Sequence, residues 1–326
     1  MINLESKLKK LFSEKKFSEF ESEVEQIGNI VNLNPNLQLY YATSKALNNN
    51  SKKKDFKIAA YLFEKLYKNE KNNLELLYNL IFTSVKATFF EYLESHLFEA
   101  YKKNNRDPKV LEGLGKMSFF YNEMDGVTKY YYQLLQIKPD YTNIWSSYIA
   151  SLNYQSSFDQ KKYLEICKKF DDLPKINIDN FKKETQKNQK IKIGFLSADL
   201  KTHSVSFFLK DVVKYIDKKD FELHAISNLN LAEHDQITKE LKSYFEKWHN
   251  IKDFSDKELI KYIRSQNLNI IVDLCGHTYN NRINILRSRC APIQISWLGY
   301  CNSLGLKNMD YLIADKYLIK ENEKNL

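Results

Sequence analysis

The sequence predicts an all-α repeat array of paired helices followed, from about Ile191, by a parallel α/β half-domain. Two observations support this fold class. In the first half, large apolar residues lie three or four positions apart, and the pattern recurs after 34 residues, from Leu77 to Leu111 to Trp145. In the second half, short apolar runs alternate with amphipathic stretches, which is typical of strands that alternate with helices.

Length and composition favour a two-domain cytoplasmic protein. The chain has 326 residues, of which 43% are hydrophobic, enough for two cores. It contains no run of about 18 apolar residues that would span a membrane, and its first residues lack the apolar core of a secretory signal. The cysteines show no framework spacing, which fits a reducing compartment: Cys167, Cys275, Cys290 and Cys301.

The formal net charge of +9 has two interpretations. It would suit an anionic partner such as a nucleic acid, a membrane surface or a nucleotide. However, lysines occur along the whole chain together with Glu and Asp, and no arginine cluster stands out. Nucleic-acid-binding proteins usually concentrate their charge on one face, so we expect a solvated basic surface and neither a nucleic-acid nor a membrane partner.

The repeat in the first half aligns five apolar positions over three successive units. One pair of helices cannot bury such a face, but stacked pairs bury it continuously. A helical bundle with chance periodicity is the alternative, and the number of positions in register favours the repeat. The aligned sets are Leu77, Leu111 and Trp145; Leu80, Leu114 and Tyr148; Ala59, Leu93 and Val127; Phe63, Leu97 and Tyr131; and Leu66, Ala100 and Leu134.

These features resemble tetratricopeptide repeats over about residues 35–155. The resemblance rests on the period, on Gly115 directly after Leu114, and on Pro139 where one unit turns into the next. The match is degenerate, and a polar insertion at residues 48–54 interrupts the first unit. Superhelical arrays of this kind present a concave groove that holds a protein or peptide, so we expect such a partner here.

Two aromatic stretches in the array, residues 119–121 and 130–132, would suit the lining of a groove. Aromatic residues at helical spacing more often belong to the core, and we expect this for most of them.

The two halves meet at a short polar segment. Pro174 should end a helix, and the residues that follow show no clean period, so residues 174–190 are predicted to be a connector between the array (1–173) and the half-domain (191–326). Strands are predicted at residues 191–197, 221–227, 269–274, 293–298 and 309–315, and helices at 207–216, 237–248, 255–265 and 282–289.

Polar residues follow three of the predicted strands. Ligands of parallel sheets bind beyond the carboxyl ends of the strands, so these side chains should share one edge. His203 and His277 are the groups among them suited to proton transfer near neutral pH. The three loops are residues 197–204, 275–278 and 299–303.

Structural roles are the alternative for several of these residues. His203 would suit the cap of the helix that follows it, and Asp199 would suit a turn. Asp273 would suit an ion pair with Arg282 or Arg287.

The sequence contains little evidence for a metal site or for a dinucleotide or ATP site. Cys275 and His277 have the spacing of two metal ligands, but no second pair accompanies them, so we expect no metal. The sequence has neither a G-x-G-x-x-G pattern opening the first helix nor a phosphate-binding P-loop, which disfavours a dinucleotide or ATP enzyme.

Four blocks in the second half form an ordered series. Residues 192–199 read Lys-Ile-Gly-Phe-Leu-Ser-Ala-Asp and are followed by His203, and residues 273–278 read Asp-Leu-Cys-Gly-His-Thr. The most specific block is Ala-Pro-Ile-Gln-Ile-Ser-Trp-Leu-Gly-Tyr at residues 291–300, before Met-Asp-Tyr-Leu-Ile-Ala-Asp at residues 309–315. Preceded by tetratricopeptide-like repeats, this series resembles the start of the catalytic region of protein O-GlcNAc transferases.

The resemblance implies one Rossmann-like lobe of a GT-B glycosyltransferase, a fold in which two lobes face each other across a cleft, with repeats that guide a protein acceptor. The family transfers N-acetylglucosamine from UDP-GlcNAc to Ser or Thr hydroxyls, with inversion and without a metal, and some relatives use another sugar such as fucose. It implies no cofactor besides the donor. His203 matches a family histidine beside the acceptor and the sugar, and is the expected catalytic residue. The expected acceptor-side and sugar-side residues are Asp199, Ser204, Gly276, His277, Thr278, Gly299, Tyr300 and Ser303.

Two departures from the family pattern qualify these expectations. After Tyr300 the family usually has Pro-Gly-Thr, whereas this chain has Cys-Asn-Ser at residues 301–303. The chain ends at Leu326, where the first lobe ends, so we expect no donor-binding lobe and no turnover by residues 1–326 alone. The alternative function is a non-catalytic protein-binding module with a vestigial transferase lobe, and a weaker one is an unrelated nucleotide-binding α/β enzyme.

Overall fold

The computed structural model describes residues 2–181 and 190–319. The chain divides into two compact units, Met1–Lys138 and Pro139–Leu326. Within the described ranges, no helix is long and apolar enough to cross a membrane. The helices of the first unit are α1 (Ile2–Ser13), α2 (Phe17–Ile27), α3 (Pro35–Leu47), α4 (Lys53–Asn69), α5 (Leu74–Ala87), α6 (Glu94–Lys103), α7 (Pro108–Phe120) and α8 (Met124–Ile137).

The second unit begins with two more helices and continues as an α/β lobe. In chain order its elements are α9 (Thr142–Leu152), α10 (Gln160–Asp171), β1 (Ile191–Ser197), α11 (Ser204–Tyr215), β2 (Phe221–Ser227), α12 (Gln236–Lys242), β3 (Lys247–Asn250), α13 (Asp256–Ser265), β4 (Ile270–Asp273), α14 (Ile283–Leu286), β5 (Ile293–Trp297) and β6 (Tyr311–Ile313).

The paired helices recur with the expected period, so the predicted fold class is confirmed. The first helices of three successive pairs begin at Leu74, Pro108 and Thr142, each 34 residues after the one before. All the residues aligned by the repeat are buried. A Cβ on Gly115 would lie 2.2 Å from Cε1 of Tyr131, so glycine is what lets α7 approach α8 this closely.

The aromatic stretches of the array contribute less to the core than expected. Tyr131 is buried, but Tyr132 is 51% exposed, and Phe119, Phe120 and Tyr121 at the end of α7 are 63%, 49% and 43% exposed. The expectation that most of these residues are core is therefore wrong. Helical spacing alone does not predict whether a ring is buried against the next helix pair or exposed near the end of its helix.

The boundary between the compact units precedes the expected connector at residues 174–190. The second unit starts at Pro139, because α9 and α10 pack against the α/β lobe. For example, the Tyr163 hydroxyl donates a hydrogen bond of 2.9 Å to the backbone carbonyl of Ser303. Residues 182–189 of the expected connector lie outside the described residues.

Among the described residues, the α/β lobe contains six parallel strands in the order β3-β2-β1-β4-β5-β6. The strand order reverses between β1 and β4, which is the position where sheets of this type bind ligands beyond the strand ends. Buried apolar side chains from β1, β2 and β4 pack with those of α11 and α12 to form the core of one face.

Two helices of the lobe were predicted incorrectly. The helix expected at residues 237–248 ends at Lys242, and residues 247–250 form the edge strand β3 instead. Apolar residues at Ile237, Leu241 and Trp248 fit a helical period, but the backbone N–H of Glu246 bonds to the carbonyl of Leu223 on β2 at 2.9 Å and begins the strand pairing. The helix expected at residues 282–289 is a single turn, α14.

A buried hydrogen-bond chain fastens this edge strand. Nε2 of His224 lies 2.8 Å from a carboxylate oxygen of Glu222, and Nδ1 of His224 lies 3.1 Å from Nε2 of His249. Nδ1 of His249 lies 2.7 Å from the Tyr262 hydroxyl on α13. With Glu222 ionised and both rings neutral, every donor in this chain faces an acceptor. Burial, and after it the charge of the neighbouring His224, lower the pKa of His249 to about 4.

Candidate functional site

Three loops meet at one edge of the sheet, because β1, β4 and β5 are neighbours and run in the same direction. These are the loops to which the sequence assigned its polar chemistry. They differ in exposure: the loop after β1 is partly open to solvent, whereas most of the loop after β4 is buried.

The loop after β1 holds Asp199 close to His203. Burial raises the pKa of the Asp199 carboxyl group, and the positive charge of protonated His203 acts in the opposite direction. The backbone of Asp199 is fixed on both sides: its N–H donates to Oγ of Ser197 at 2.9 Å, and its carbonyl accepts from Oγ of Ser206 at 2.6 Å. Ser204 is exposed at the first position of α11.

His203 is the N-cap of α11, which is the structural role that the sequence offered as the alternative to catalysis. Its backbone is extended, and Nδ1 of the ring accepts a hydrogen bond from the Val205 N–H at 3.3 Å. A neutral ring that accepts at Nδ1 carries its proton on Nε2. The ring is half-buried, and no residue in the described ranges forms a hydrogen bond with Nε2. In this arrangement His203 offers an N–H donor at Nε2. Nε2 becomes a base only when its proton is lost and Nδ1 carries the proton instead, and Nδ1 then no longer accepts the capping hydrogen bond.

The loop after β4 is organised by the buried carboxylate of Asp273. Its two oxygens accept hydrogen bonds from the backbone N–H groups of Gly276, at 2.7 Å, and Cys275, at 3.4 Å. Burial nevertheless raises the pKa of Asp273 to about 6. The alternative in which Asp273 pairs with Arg282 or Arg287 is therefore wrong.

Those two arginines have other carboxylate partners. Arg282 lies 3.2 Å from Asp256, and Arg287 lies 3.9 Å from Asp171. Neither guanidinium reaches the loop after β4, which satisfies its buried carboxylate with backbone donors alone.

His277 lies inside the lobe and not at its surface. Only 2% of the residue is exposed, and Nδ1 lies 3.1 Å from Oγ of Ser146 on α9. The ring packs edge-on against Phe170 and Tyr300, with centroids 5.6 Å and 5.5 Å away. Burial lowers the pKa of His277 to about 3, so the ring is neutral at physiological pH. In this structure His277 joins the loops to α9 and α10, and it does not face the edge that carries His203.

Burial of His249 and His277 makes the second unit sensitive to acid. The unfolded chain protonates both rings below about pH 6.5, whereas the folded chain does so only near pH 4 and pH 3. Asp273 acts oppositely, since its folded pKa of about 6 lets the native state take up one proton. The unfolded state still binds about one proton more. We therefore expect the free energy of unfolding to fall by ~1 kcal/mol per pH unit from about pH 6 towards pH 4.

Urea titrations at several pH values, followed by tryptophan fluorescence, test this expectation, because Trp145, Trp248 and Trp297 all belong to the second unit. His277→Gln should flatten the slope. A slope that persists unchanged in His277→Gln and His249→Gln would exclude these rings as its cause.

The remaining predicted residue of the β4 loop, Thr278, is half-buried, and its hydroxyl donates to the carbonyl of Cys275 at 2.8 Å. Gly276 has a positive φ of 56°, and a Cβ there would lie 2.4 Å from the Cβ of Tyr300. Gly276 and Thr278 therefore shape the loop and allow it to pack on the neighbouring one.

The loop after β5 is tied to α9 and α10. The Tyr300 hydroxyl accepts a hydrogen bond from the Asn153 amide at 2.8 Å and lies 3.0 Å from the Tyr163 hydroxyl. Asn302 donates to the Asn153 side chain at 2.9 Å and accepts from Gln160 at 3.2 Å.

Two further predicted residues complete the loop after β5. The Ser303 hydroxyl accepts from the N–H of Gly305 at 3.2 Å. A Cβ on Gly299 would lie 1.7 Å from the carbonyl oxygen of Leu274, so this position admits no side chain without movement of the β4 loop.

The sequence missed the contribution of α9 and α10 to this region. Ser146, Asn153 and Tyr163 were assigned to the repeat array, yet each contacts a loop residue of the predicted site. Ser146 is a buried polar residue of α9 and Asn153 follows the end of that helix, but the sequence alone does not single them out from the other polar residues of this segment.

The described residues contain no group of three or more His, Cys, Asp or Glu side chains that could hold a metal ion. Cys275, the suggested partner of His277, instead accepts the Ala198 N–H at its sulfur atom, at 3.3 Å. Three of the predicted site residues, Asp199, His203 and Ser204, lie together in the partly open segment after β1.

Comparison with known proteins identifies relatives of this part of the chain. The sequence pattern of glycosyl transferase family 41 matches residues 152–321, slightly more than half of the chain. The match begins at the end of α9 and thus includes α10, which agrees with the packing of α10 in the second unit.

Curated relatives are similar over the same part. The chain is 32% identical over 194 residues to the probable UDP-N-acetylglucosamine–peptide N-acetylglucosaminyltransferase SPINDLY of Oryza sativa, an alignment that covers 57% of this chain and 20% of the relative. It is 27% identical over 143 residues to the UDP-N-acetylglucosamine–peptide N-acetylglucosaminyltransferase of Caenorhabditis elegans, covering 44% and 12%. The chain therefore spans about a fifth or less of the length of these relatives.

Among solved structures, a mutant O-GlcNAc transferase of Thermobaculum terrenum has a similar fold, with a TM-score of 0.71 and 21% sequence identity. The superposition covers 90% of this chain and 56% of that one. It supports the fold, in which an array of paired helices is followed in the chain by an α/β lobe.

Proposed function

This chain belongs to glycosyl transferase family 41, and on that premise we propose that it forms the acceptor side of a cytoplasmic protein O-GlcNAc transferase. The reaction would move N-acetylglucosamine from UDP-GlcNAc to a Ser or Thr hydroxyl of a protein, with inversion and without a metal. The observation that carries this proposal is the partly open loop after β1, where His203 and Asp199 lie together at the strand-order reversal.

The chemistry of the transfer assigns a role to His203. A hydroxyl nucleophile must lose its proton as the bond to the sugar forms, and an imidazole beside it can take that proton at neutral pH. In the resting arrangement the ring donates from Nε2 instead, which suits a hydrogen bond to the sugar or to the acceptor oxygen. We place His203 at the acceptor and sugar in either case, with Asp199 and Ser204 beside it.

The donor side of the reaction needs groups for uracil and for the pyrophosphate leaving group, whose negative charge must be stabilised. The part of the Thermobaculum terrenum chain outside the superposition is where we place those groups, and the first unit is proposed to guide the protein acceptor. It follows from this proposal that residues 1–326 alone do not turn over UDP-GlcNAc.

Two assays test the proposal. Residues 1–326 should not hydrolyse UDP-GlcNAc, whereas a chimera of residues 1–319 with the unmatched remainder of the Thermobaculum terrenum chain should transfer sugar to protein. In the chimera, His203→Ala should lower the transfer rate roughly 100-fold or more. His234→Ala, at a partly exposed histidine near α12, is the matched control and should keep the rate.

If residues 1–326 alone turned over UDP-GlcNAc and His203→Ala abolished that activity, the proposal that the donor-binding groups lie outside residues 1–326 would be overturned. An active chimera that tolerates His203→Ala would overturn the role of His203.

A protein-binding module without catalysis is the second candidate. The capping bond at Nδ1 of His203 and the side-chain bonds of Asn302 favour it, because both give site residues a structural task. Under this function the chimera would bind protein acceptors but show no transfer.

A further inference from the structure

The end of α7 exposes a cluster of aromatic rings in the first unit. Phe90, in the turn before α6, is buried at 3% exposure beneath Phe120 and Tyr121, which keep about half of their surface in solvent. The ring centroids of Phe90 and Phe120 are 5.1 Å apart, and those of Phe120 and Tyr121 are 5.3 Å apart. We call Phe90, Phe119, Phe120 and Tyr121 the aromatic edge. Contiguous exposed apolar surfaces often mark the sites at which proteins bind partners.

Carboxylates surround the aromatic edge. Glu94, Glu91 and Glu123 are exposed. Burial, and after it the negative charges of these three carboxylates, raise the pKa of Tyr121. Within the described part of the chain, none of the three forms an ion pair. This local negative charge contrasts with the net charge of +9 of the whole chain.

The same turn already binds a cation to an aromatic ring. Nζ of Lys57 lies 3.8 Å from the ring centroid of Phe89, the residue next to Phe90. Attraction between a cation and the face of a ring is stronger where carboxylates add to the field. Phe120 and Tyr121 are exposed rings beside three carboxylates, and no lysine or arginine of the described residues lies over either ring.

We propose that the aromatic edge binds a basic segment of a partner protein, with a lysine or arginine side chain lying on Phe120 and Tyr121 while Glu91, Glu94 and Glu123 balance its charge. Apolar neighbours of that side chain would cover Phe119. The binding needs neither a donor nor glycosyl transfer, so it stands or falls independently of the proposed function.

Fluorescence anisotropy with the full chain tests the proposal. The probe is a short labelled peptide of alternating glycine and arginine, and the same peptide with citrulline in place of arginine is its neutral counterpart. The arginine peptide should bind at least tenfold more tightly than the citrulline peptide at low salt, and the difference should shrink as salt screens the carboxylates. Phe120→Ala should weaken binding of the arginine peptide roughly fivefold, and Tyr121→Ser similarly.

The triple variant Glu91→Gln, Glu94→Gln and Glu123→Gln should weaken it roughly tenfold. Phe98→Ala and Glu75→Gln, at exposed residues elsewhere in the array, are the matched controls and should leave binding unchanged. Circular dichroism checks that each variant keeps its helix content. Equal binding of both peptides, no binding of the arginine peptide, or full binding by the triple variant would each overturn the proposal.

Discussion

Replacing Arg287 by alanine should lower the free energy of unfolding of the second unit by about 3–5 kcal/mol. The guanidinium is 1% exposed and lies 4.9 Å from the ring centroid of Phe170. It donates to the carbonyls of Asp171, at 3.2 Å, and Leu173, and to the side chain of Asn284 at 2.8 Å. Without the guanidinium, the carbonyls at the end of α10 would lose their hydrogen-bond donor, and the buried Asp171 carboxylate would lose its cationic partner.

Arg289 provides a control two residues away. Its guanidinium also pairs with a carboxylate, Asp310, through two bonds of 2.8 Å, but both side chains are partly exposed. Because solvent weakens such a pair, Arg289→Ala should cost about 1 kcal/mol or less. Urea unfolding followed by tryptophan fluorescence measures both variants in the same unit.

The source of the loss can be separated with a double variant. Arg287→Met combined with Asp171→Leu should recover part of the stability, since it removes the buried charge as well as its partner. Equal losses in the Arg287 and Arg289 single variants would show that burial does not set the strength of these contacts.

The position of Arg287 illustrates what the sequence could and could not predict. Strand and helix periods located the parallel sheet, and strand ends located the loops around His203 and His277, because both depend on local pattern. Which histidine is enclosed depends on α9 and α10, whose partners lie more than a hundred residues away in the chain. The same long-range packing places α9 and α10 in the second compact unit, which begins at Pro139.

Edge strand β3 shows a second limit. The apolar spacing of residues 237–248 is that of a helix, and its last part became a strand because β2 offered an unpaired edge. Pairing with a neighbouring strand outweighs a local preference of a few tenths of a kcal/mol per residue. The family resemblance implies that His203 is the catalytic residue, whereas the sequence itself offered the helix cap as the alternative, and the ring does cap α11 through Nδ1.

Gly299→Ala should be as costly as the loss of Arg287, on the order of 3–5 kcal/mol, for a different reason. The added Cβ would lie 1.7 Å from the oxygen and 2.5 Å from the carbon of the Leu274 carbonyl. The Cβ is fixed to the backbone after β5, and the carbonyl that it meets is backbone after the adjacent strand β4. No change of side-chain rotamer can therefore relieve the overlap. The loops after β4 and β5 would have to separate, and Tyr300 would be drawn away from Gly276 and His277.

Gly194 on β1 is the matched control. A Cβ there would approach Cδ1 of Leu268 at 2.6 Å and Cδ1 of Ile226 at 2.8 Å, and both are ends of flexible side chains. Gly194→Ala should therefore cost about 1–3 kcal/mol, the usual range for overpacking that side chains can absorb. Urea unfolding compares the two variants under one condition. If Gly299→Ala proves no more costly than Gly194→Ala, the two loops can separate easily, and the contact between them does not fix the edge of the sheet on which His203 lies.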